Sequence, residues 1–194
     1  MPFPPNVNVD TVVGKATITF AADGGSATFA YTVNGISQTK TIVREEFASP
    51  QPRCVWGAQA DLRLATNYQD IWWATDGSQS GGSESGWGIN FNHQGNIIFA
   101  TWFTYDTSGK PWWLIIVADP AGPKVYSGTI YTVTGPPFSA VPFDTKLVHD
   151  TPVGNATITF TDGNHARFDY TVNGVKQSKN LVRQVFAPPG TACQ

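Results

Sequence analysis

Tryptophan and asparagine recur through the middle of the sequence at spacings that suit ligand binding. Successive residues of a β-strand point to opposite sides, so residues 87, 89, 91 and 93 share an aromatic face and Asn90 and Asn92 lie on the other. Alternation in the next segment separates Phe99 and Phe103 from Trp102, and we expect Trp102 beside the asparagines. Aromatic rings stack on the C–H faces of sugars, and amides bond their hydroxyl groups. The candidate ligand-binding residues are Trp72, Trp73, Trp87, Asn90, Asn92, Trp102 and Trp113. The alternative is a tryptophan core with the amides on an outer face.

Side chains capable of catalysis are scattered along the sequence. The histidines lie far apart, at His93, His149 and His165. Residues 82–86 read Gly-Ser-Glu-Ser-Gly, but a nucleophile elbow needs serine where Glu84 stands. Asp70 and Glu84 could work as a pair of carboxylates only if the fold brought them together, which nothing in the sequence indicates. We therefore expect no enzymatic activity.

Two aspartates begin segments that contain further oxygen ligands. Asp76 starts Asp-Gly-Ser and Asp106 starts Asp-Thr-Ser-Gly, yet neither continues into a full calcium-binding loop. Aspartate at the start of a turn commonly accepts hydrogen bonds from the backbone of that turn. We expect turn roles for both, with no metal and no cofactor.

The composition argues against nucleic acid as a partner and favours a location outside the cell. Charged residues make up 13% of the chain and the net charge is −2, so there is no basic stripe for nucleic acid. No apolar run reaches the length of a membrane-spanning helix, and no signal peptide is visible after Met1. Low charge, strands rich in Thr, Ser and Asn, and few lysines favour an extracellular or cell-surface protein.

One sequence unit occurs twice, once truncated and once whole. The clearest matches are 10–20 with 150–160, and 31–35 with 170–174. Both copies continue with the pattern Gln-x-Lys-x-x-Val-Arg-x-x-Phe and end at a cysteine, Cys54 or Cys193. Since a repeat decides the architecture, we divide the chain into a truncated first copy, 2–54, and a complete second copy, 55–193.

The pattern of the whole chain predicts antiparallel β-strands. Predicted strands are 13–20, 27–33 and 36–47 in the first copy, and 70–75, 86–93, 96–105, 111–117, 125–132, 153–160, 166–172 and 175–186 in the second. Asn34-Gly35 and Asn173-Gly174 are typical of tight hairpins, and residues 93–95 predict a three-residue turn. The second copy is predicted to form an all-β, eight-stranded meander barrel of lipocalin or avidin size, with a β-sandwich as the alternative.

The first copy contains only the last three strands of the repeat unit. It lacks the five strands that precede them in the second copy. Three strands cannot bury a core alone, and only one of the two triplets can close a given barrel. We expect the first triplet to complete or extend a neighbouring subunit by strand donation, which gives oligomers or filaments. Self-association or tandem copies are therefore the expected partners, with a glycan as the alternative. The candidate assembly residues are Val13, Ile18, Phe20, Phe29, Tyr31, Val33, Ile42 and Phe47.

The two cysteines hold equivalent places in the two copies. In a closed meander the first and last strands are neighbours, so Cys54 and Cys193 would lie at the same end of the barrel. We expect a disulfide between them, and with it an oxidising compartment. The alternative is two free thiols that are equivalent merely through repetition.

Each copy also has a lysine and an arginine on one strand face. These are Lys40 with Arg44, and Lys179 with Arg183. Such pairs are typical of a solvated face. The alternative is that one arginine points inward and plugs a barrel end against Trp87, as in lipocalin barrels, whose Gly-x-Trp signature Gly86-Trp87-Gly88 faintly matches.

Several runs together resemble a known type of module. They are Asn-Tyr-Gln-Asp-Ile-Trp-Trp from residue 67, Glu-Ser-Gly-Trp-Gly-Ile-Asn-Phe from residue 84, Phe-Ala-Thr-Trp-Phe-Thr-Tyr-Asp from residue 99, Tyr-Ser-Gly-Thr-Ile-Tyr from residue 126 and Gly-Pro-Pro-Phe from residue 135. This set is similar to Trp-rich modules repeated near the C-termini of secreted or surface proteins of bacteria. The resemblance implies an extracellular setting and an accessory role, and it transfers no catalytic residue.

Overall fold

The computed structural model describes residues 11–59, 61–75, 84 and 86–194, and these residues are mostly β-strand. Their strands are β1 Gly14–Phe20, β2 Ser26–Val33, β3 Ile36–Val43, β4 Cys54–Trp56, β5 Asp70–Thr75, β6 Gly88–Gln94, β7 Ile97–Tyr105, β8 Pro111–Gly122, β9 Val125–Thr134, β10 His149–Phe160, β11 His165–Val172, β12 Val175–Arg183 and β13 Thr191–Cys193. Short 3₁₀ helices cover Leu62–Leu64 and Thr145–Leu147. The predicted strands are thus all present, with β4 and β13 in addition.

Strands β5 to β12 form a closed antiparallel barrel. Each strand pairs with the next along the chain, and β12 pairs with β5 from Arg183 opposite Trp72 to Asn180 opposite Thr75. Closure leaves these eight strands without a free edge. The predicted meander barrel is confirmed, and the second triplet, β10–β12, is the one that closes it.

Large apolar side chains fill the barrel. The largest fully buried ones are Trp72, Phe91, Phe168, Ile89, Ile98, Leu114, Ile116, Ile130, Ile158 and Leu181. They come from all eight strands of the barrel and, within a strand, from alternate positions, as the two-residue period of a strand requires. The core is therefore built by both halves of the second copy, the five strands β5–β9 and the triplet β10–β12.

The first triplet, β1–β3, forms a separate three-stranded sheet. Its pairing register repeats that of β10–β11: Ile18 lies opposite Phe29, as Ile158 lies opposite Phe168. The hairpins also agree, because Asn34 and Asn173 both have a φ of 47° and a glycine at positive φ follows each. The predicted Asn-Gly hairpins are confirmed, and the two similar sequences have folded into similar local structures.

A two-stranded clasp joins the ends of the second copy. β4 pairs with β13, and a disulfide links Cys54 to Cys193. Next to it, the Gly57 amide donates to the carbonyl of Gly190 at 2.9 Å. The predicted disulfide is confirmed.

Several strand ends and one turn differ from the prediction. β3 ends at Val43 and β12 at Arg183, rather than at residues 47 and 186, although the Gln184 amide still donates to the Ile71 carbonyl of β5 at 2.9 Å. β8 runs to Gly122 rather than 117, and β10 begins at His149 rather than 153. The turn after β6 has two residues, Gly95 and Asn96, rather than three. This shorter turn changes which side chains of β6 and β7 share a face.

The predicted position of Trp102 beside Asn90 and Asn92 is therefore wrong. The two-residue turn places Trp102 opposite Ile89, so its indole points into the barrel. Asn90 lies opposite Thr101 on the outer wall. The alternation predicted within each strand was correct. The prediction failed between the strands, because a turn one residue shorter changes which faces of β6 and β7 lie on the same side of the sheet.

Arg183 closes one end of the barrel from inside. It is buried, and its guanidinium lies 5.0 Å from the centroid of the Trp72 ring. The inward arginine is thus the correct alternative, but it packs on Trp72 rather than on Trp87 because Arg183 and Trp72 are direct partners in the β12–β5 pairing.

Candidate assembly surface

One face of the β1–β3 sheet carries apolar side chains, and we call it the arm face. Gln38 and Lys40 share this face with the apolar members, which occupy alternate positions of the three strands: Ala16, Ile18, Phe20, Ala27, Phe29, Tyr31, Val33, Ile36 and Ile42. The equivalent apolar side chains of β10–β12 line the interior of the barrel, except for Val175, the equivalent of Ile36, which is exposed. The opposite face of the arm is rich in threonine, with Thr17, Thr28 and Thr39 among its members. The arm is therefore amphipathic in the same sense as the triplet that closes the barrel.

Equivalent residues differ sharply in exposure between the copies. Ile18 is 51% exposed and Ile158 is 0% exposed; Phe20 is 73% exposed and Phe160 is 2% exposed. All seven residues of β1 are exposed. A sequence that makes a core in one copy thus makes a surface in the other.

Two shallow hollows lie on the arm face. The larger, about 500 Å³, is lined mainly by Val13, Phe29, Tyr31 and Val33 of the arm and by Phe138. Phe138 sits at its edge, where Tyr31 Oη donates to the Phe138 carbonyl at 3.3 Å. The smaller, about 240 Å³, lies at the opposite end of the sheet and is lined by Phe20, Ala27 and Ile42, among others. Seven of the eight predicted assembly residues thus line or flank one surface.

The eighth, Phe47, lies elsewhere. It belongs to the segment 44–53, which we call the strap and which runs from β3 to the clasp. The Phe47 ring packs on Phe99 of the barrel wall, with ring centroids 6.1 Å apart. Phe47 therefore belongs to the contact between the strap and strand β7, which attaches the arm to the barrel, and not to the arm face.

Gln94 holds the strap, and the sequence contains no signal that singles it out. Its Nε2 donates to the Glu45 carbonyl at 2.9 Å, and its Oε1 accepts from the amides of Phe47 at 2.9 Å and Ala48 at 3.2 Å. Gln51 Nε2 donates to the same oxygen at 3.1 Å. The Gln94 amide is buried and is used fully in fixing the strap.

The predicted ligand-binding residues do not form one surface. Trp72, Trp87 and Trp102 are buried inside the barrel, and the Trp87 and Trp102 rings are 6.0 Å apart. Asn90, Asn92 and Trp113 are on the outer wall, where Trp113 faces Phe103 across the β7–β8 pair. Trp73 is half-buried and is the neighbour of the inward Trp72 on β5. The set separates into core residues and wall residues.

The candidate catalytic groups have separate structural partners. Asp70 binds Arg183 at 3.2 Å, whereas Glu84 binds Lys179. His165 Nδ1 lies 2.9 Å from Asp162. Asp106 accepts hydrogen bonds from the amides of its own turn, as predicted. Asp76 and most of the segment 82–86 lie outside the described residues.

Burial controls the ionisation of the groups inside the barrel. It lowers the pKa of His93 to about 4, and His93 Nδ1 accepts from the Tyr68 amide at 3.1 Å. Burial, with a smaller effect of Glu84, raises the pKa of Tyr170 to about 12. Burial also lowers the pKa of Arg183, against the opposing effect of Asp70. Burial thus favours the neutral forms of His93 and Tyr170, and the neighbouring Asp70 favours the charged form of Arg183.

No protein-family model matches the chain, and neither a curated protein nor a solved structure matches it significantly. The described residues contain no helix with the length and apolar character needed to cross a membrane. The Trp-rich module type stays a prediction from the sequence runs.

Proposed function

We propose that the chain is a self-assembling extracellular β-module, in which the arm β1–β3 donates its strands to a neighbouring copy. The observation that supports this most is the difference between the two triplets. They share sequence, register and hairpins, yet one apolar face is covered by five strands and the other is open. The barrel of a neighbouring copy is already closed by its own triplet, so the matching surface is the arm of that copy, with its apolar face and two free sheet edges.

Apolar burial supplies the driving force. Complete burial of an isoleucine or phenylalanine side chain contributes about 1.5–3 kcal/mol, and Ile18, Phe20 and Ile42 are all exposed on the arm. Contiguous apolar patches of this type mark interaction sites on soluble proteins. Covering the arm face would therefore favour association and would offset part of the loss of translational and rotational freedom, which costs about 4–15 kcal/mol.

The edges of the arm favour strand donation over simple face packing. β1 and β3 are the outer strands of their sheet, whereas their equivalents β10 and β12 pair with β9 and β5. An unpaired edge is a template for pairing with another chain. The β1 edge of one arm and the β3 edge of the next are different surfaces, so repeated pairing of β1 with β3 would extend the sheet into head-to-tail oligomers or filaments.

The disulfide supports the extracellular part of the proposal. Disulfides form and persist in oxidising compartments and are rare in the cytosol. The Cys54–Cys193 bond joins the two ends of the second copy, the part of the chain that forms the closed barrel.

Light scattering on two matched variants tests the proposal. Ile18→Lys places a charge on the arm face, and Thr17→Lys places the same charge on the opposite face of the same strand. We expect concentration-dependent assembly of the wild type and of Thr17→Lys, and a 21.0 kDa monomer for Ile18→Lys. A wild type that stays monomeric up to millimolar concentration would contradict the proposal.

A fusion protein tests what the arm face accepts. A second copy of residues 55–141 placed before residue 2 would give the arm its own five strands. We expect the fused chain to form two barrels and to stop assembling, because the arm face is then buried within the chain. Continued assembly of a well-folded fusion would show that another surface mediates it.

A further inference from the structure

A cleft separates the strap from the outer wall of the barrel. Its volume is about 390 Å³, which falls in the range of small-molecule sites. It lies between the strap on one side and strands β6 and β7 on the other, and it is distinct from the hollows of the arm face.

Two phenyl rings form the apolar wall of the cleft. Phe47 of the strap and Phe99 of β7 meet at a centroid distance of 6.1 Å with their planes tilted by 48°. Both rings line the cleft. A tilted aromatic pair of this kind offers an apolar platform of two inclined ring faces, on which a ring with C–H bonds on one face can pack.

Hydrogen-bonding groups surround this platform. Asn92 and Gln69 each bring an amide with donors and an acceptor, and Arg44 and Glu45 bring one charge of each sign. Within the described part of the chain, the side chains of Asn92, Arg44 and Glu45 have no hydrogen-bond partner. The rim therefore offers free donors and acceptors while its formal charges cancel.

The strap is fixed in place before any ligand arrives. The four hydrogen bonds of Gln94 hold residues 45–51, and the Gly95 amide donates to the Pro50 carbonyl at 2.9 Å. Gly95 also has a positive φ of 56°, and a Cβ there would lie 2.5 Å from the Ser49 carbonyl oxygen. A preformed cleft loses less conformational entropy on binding than a mobile one.

We infer that this cleft binds carbohydrate, as a neutral sugar ring. A pyranose has an apolar C–H face for the phenyl platform and equatorial hydroxyl groups for the amides and charges at the rim. The cancelling charges select against strongly anionic ligands. Of the tryptophans and asparagines predicted to bind ligand, Asn92 is the one that lines the cleft.

Amide NMR shifts test the site without knowledge of the natural glycan. The ¹⁵N-labelled chain is titrated with glucose, galactose, N-acetylglucosamine and, as an anionic probe, sodium glucuronate. We expect at least one neutral sugar to shift the side-chain amides of Asn92, Gln51 and Gln69. Asn92→Ala should weaken binding at least tenfold. Asn90→Ala, which removes the same side chain from the same face of β6 two residues earlier, should leave it unchanged.

Three results would overturn the inference. They are no response to any neutral sugar, a response to glucuronate alone that Arg44→Met removes, and sugar shifts that Asn92→Ala leaves intact. A melting curve of each variant confirms that the barrel is folded. Because Ile18→Lys lies outside the cleft, sugar binding in that monomeric variant separates this inference from the proposed assembly.

Discussion

The Arg183 guanidinium lies over the Trp72 ring, 5.0 Å from its centroid, and bonds three backbone carbonyls around it. Its Nε donates to Gly163 at 2.6 Å, Nη1 to Gln69 at 2.8 Å and Nη2 to Asn67 at 3.2 Å. A buried cation is tolerated only when its donors are satisfied, and the Asp70 carboxylate completes the set. Arg183 thus locks the seam between the first and last strands of the barrel.

Removal of this arginine should destabilise the barrel strongly. Arg183→Met leaves the carbonyls and Asp70 without their donor, and we expect a loss of about 3–5 kcal/mol in the free energy of unfolding. Arg44→Met is the matched control, because Arg44 is the equivalent residue of the first copy and is exposed. Urea unfolding should show nearly wild-type stability for the control. Equal losses for the two variants would contradict a special role for Arg183.

His93 should make stability depend on pH in a defined window. Its pKa falls from 6.5 in the unfolded chain to about 4 in the barrel, so the unfolded state binds a proton that the folded state does not. Stability is therefore complete above pH 6.5 and declines as the pH falls toward 4, by about 3 kcal/mol in total. Unfolding at several pH values should show this slope for wild type and for His149→Gln. His93→Gln should lack it, and a retained slope would assign the effect to another group.

The disulfide should account for much of the stability of the second copy. A crosslink that closes a loop with a sequence separation of 139 residues contributes about 5 kcal/mol in the chain-entropy model. A reducing agent should lower the urea midpoint of wild type to that of the Cys54→Ser/Cys193→Ser variant. The double variant itself should not respond to the reducing agent. An unchanged wild-type midpoint under full reduction would refute this prediction.

Gln94→Ala should release the strap while the barrel stays folded. Four hydrogen bonds are lost, but the freed strap amides regain water, so we expect a cost of about 2–3 kcal/mol for strap docking. Hydrogen exchange of the Phe47 and Ala48 amides should accelerate, with unchanged protection of β6–β9. The control is Gln69→Ala, because the Gln69 amide makes only a long contact of 3.6 Å with Cys54 Sγ among the described residues. Slow exchange at Phe47 in the Gln94 variant would argue for another anchor.

Local signals in the sequence predicted most of the fold. Asn-Gly hairpins, the two-residue period and the paired cysteines each follow from constraints within a few residues or within the repeat. Asn34 and Asn173, for example, adopt the positive φ that their hairpins require. The repeat also predicted that one triplet would close the barrel and the other would stand apart.

One local turn and several contacts between distant segments account for the errors. The side of Trp102 depended on whether the turn at Gly95 has two or three residues, and composition does not distinguish these. Gln94 and Phe138 are ordinary residues in the sequence, and their positions beside the strap and the arm arise only from tertiary packing. The cleft between the strap and the barrel wall could not be predicted, because one wall comes from the first copy of the repeat and the other from the second.

The clasp has a consequence for the covalent topology of the molecule. The bond between Cys54 and Cys193 turns the second copy into a closed ring, to which the first copy is attached as a single branch. Unfolding of the branch does not require the ring to open, so the two parts can lose structure in separate steps. In the proposed assembly, a subunit with this topology would pass its branch from one neighbour to another while its own barrel stays intact.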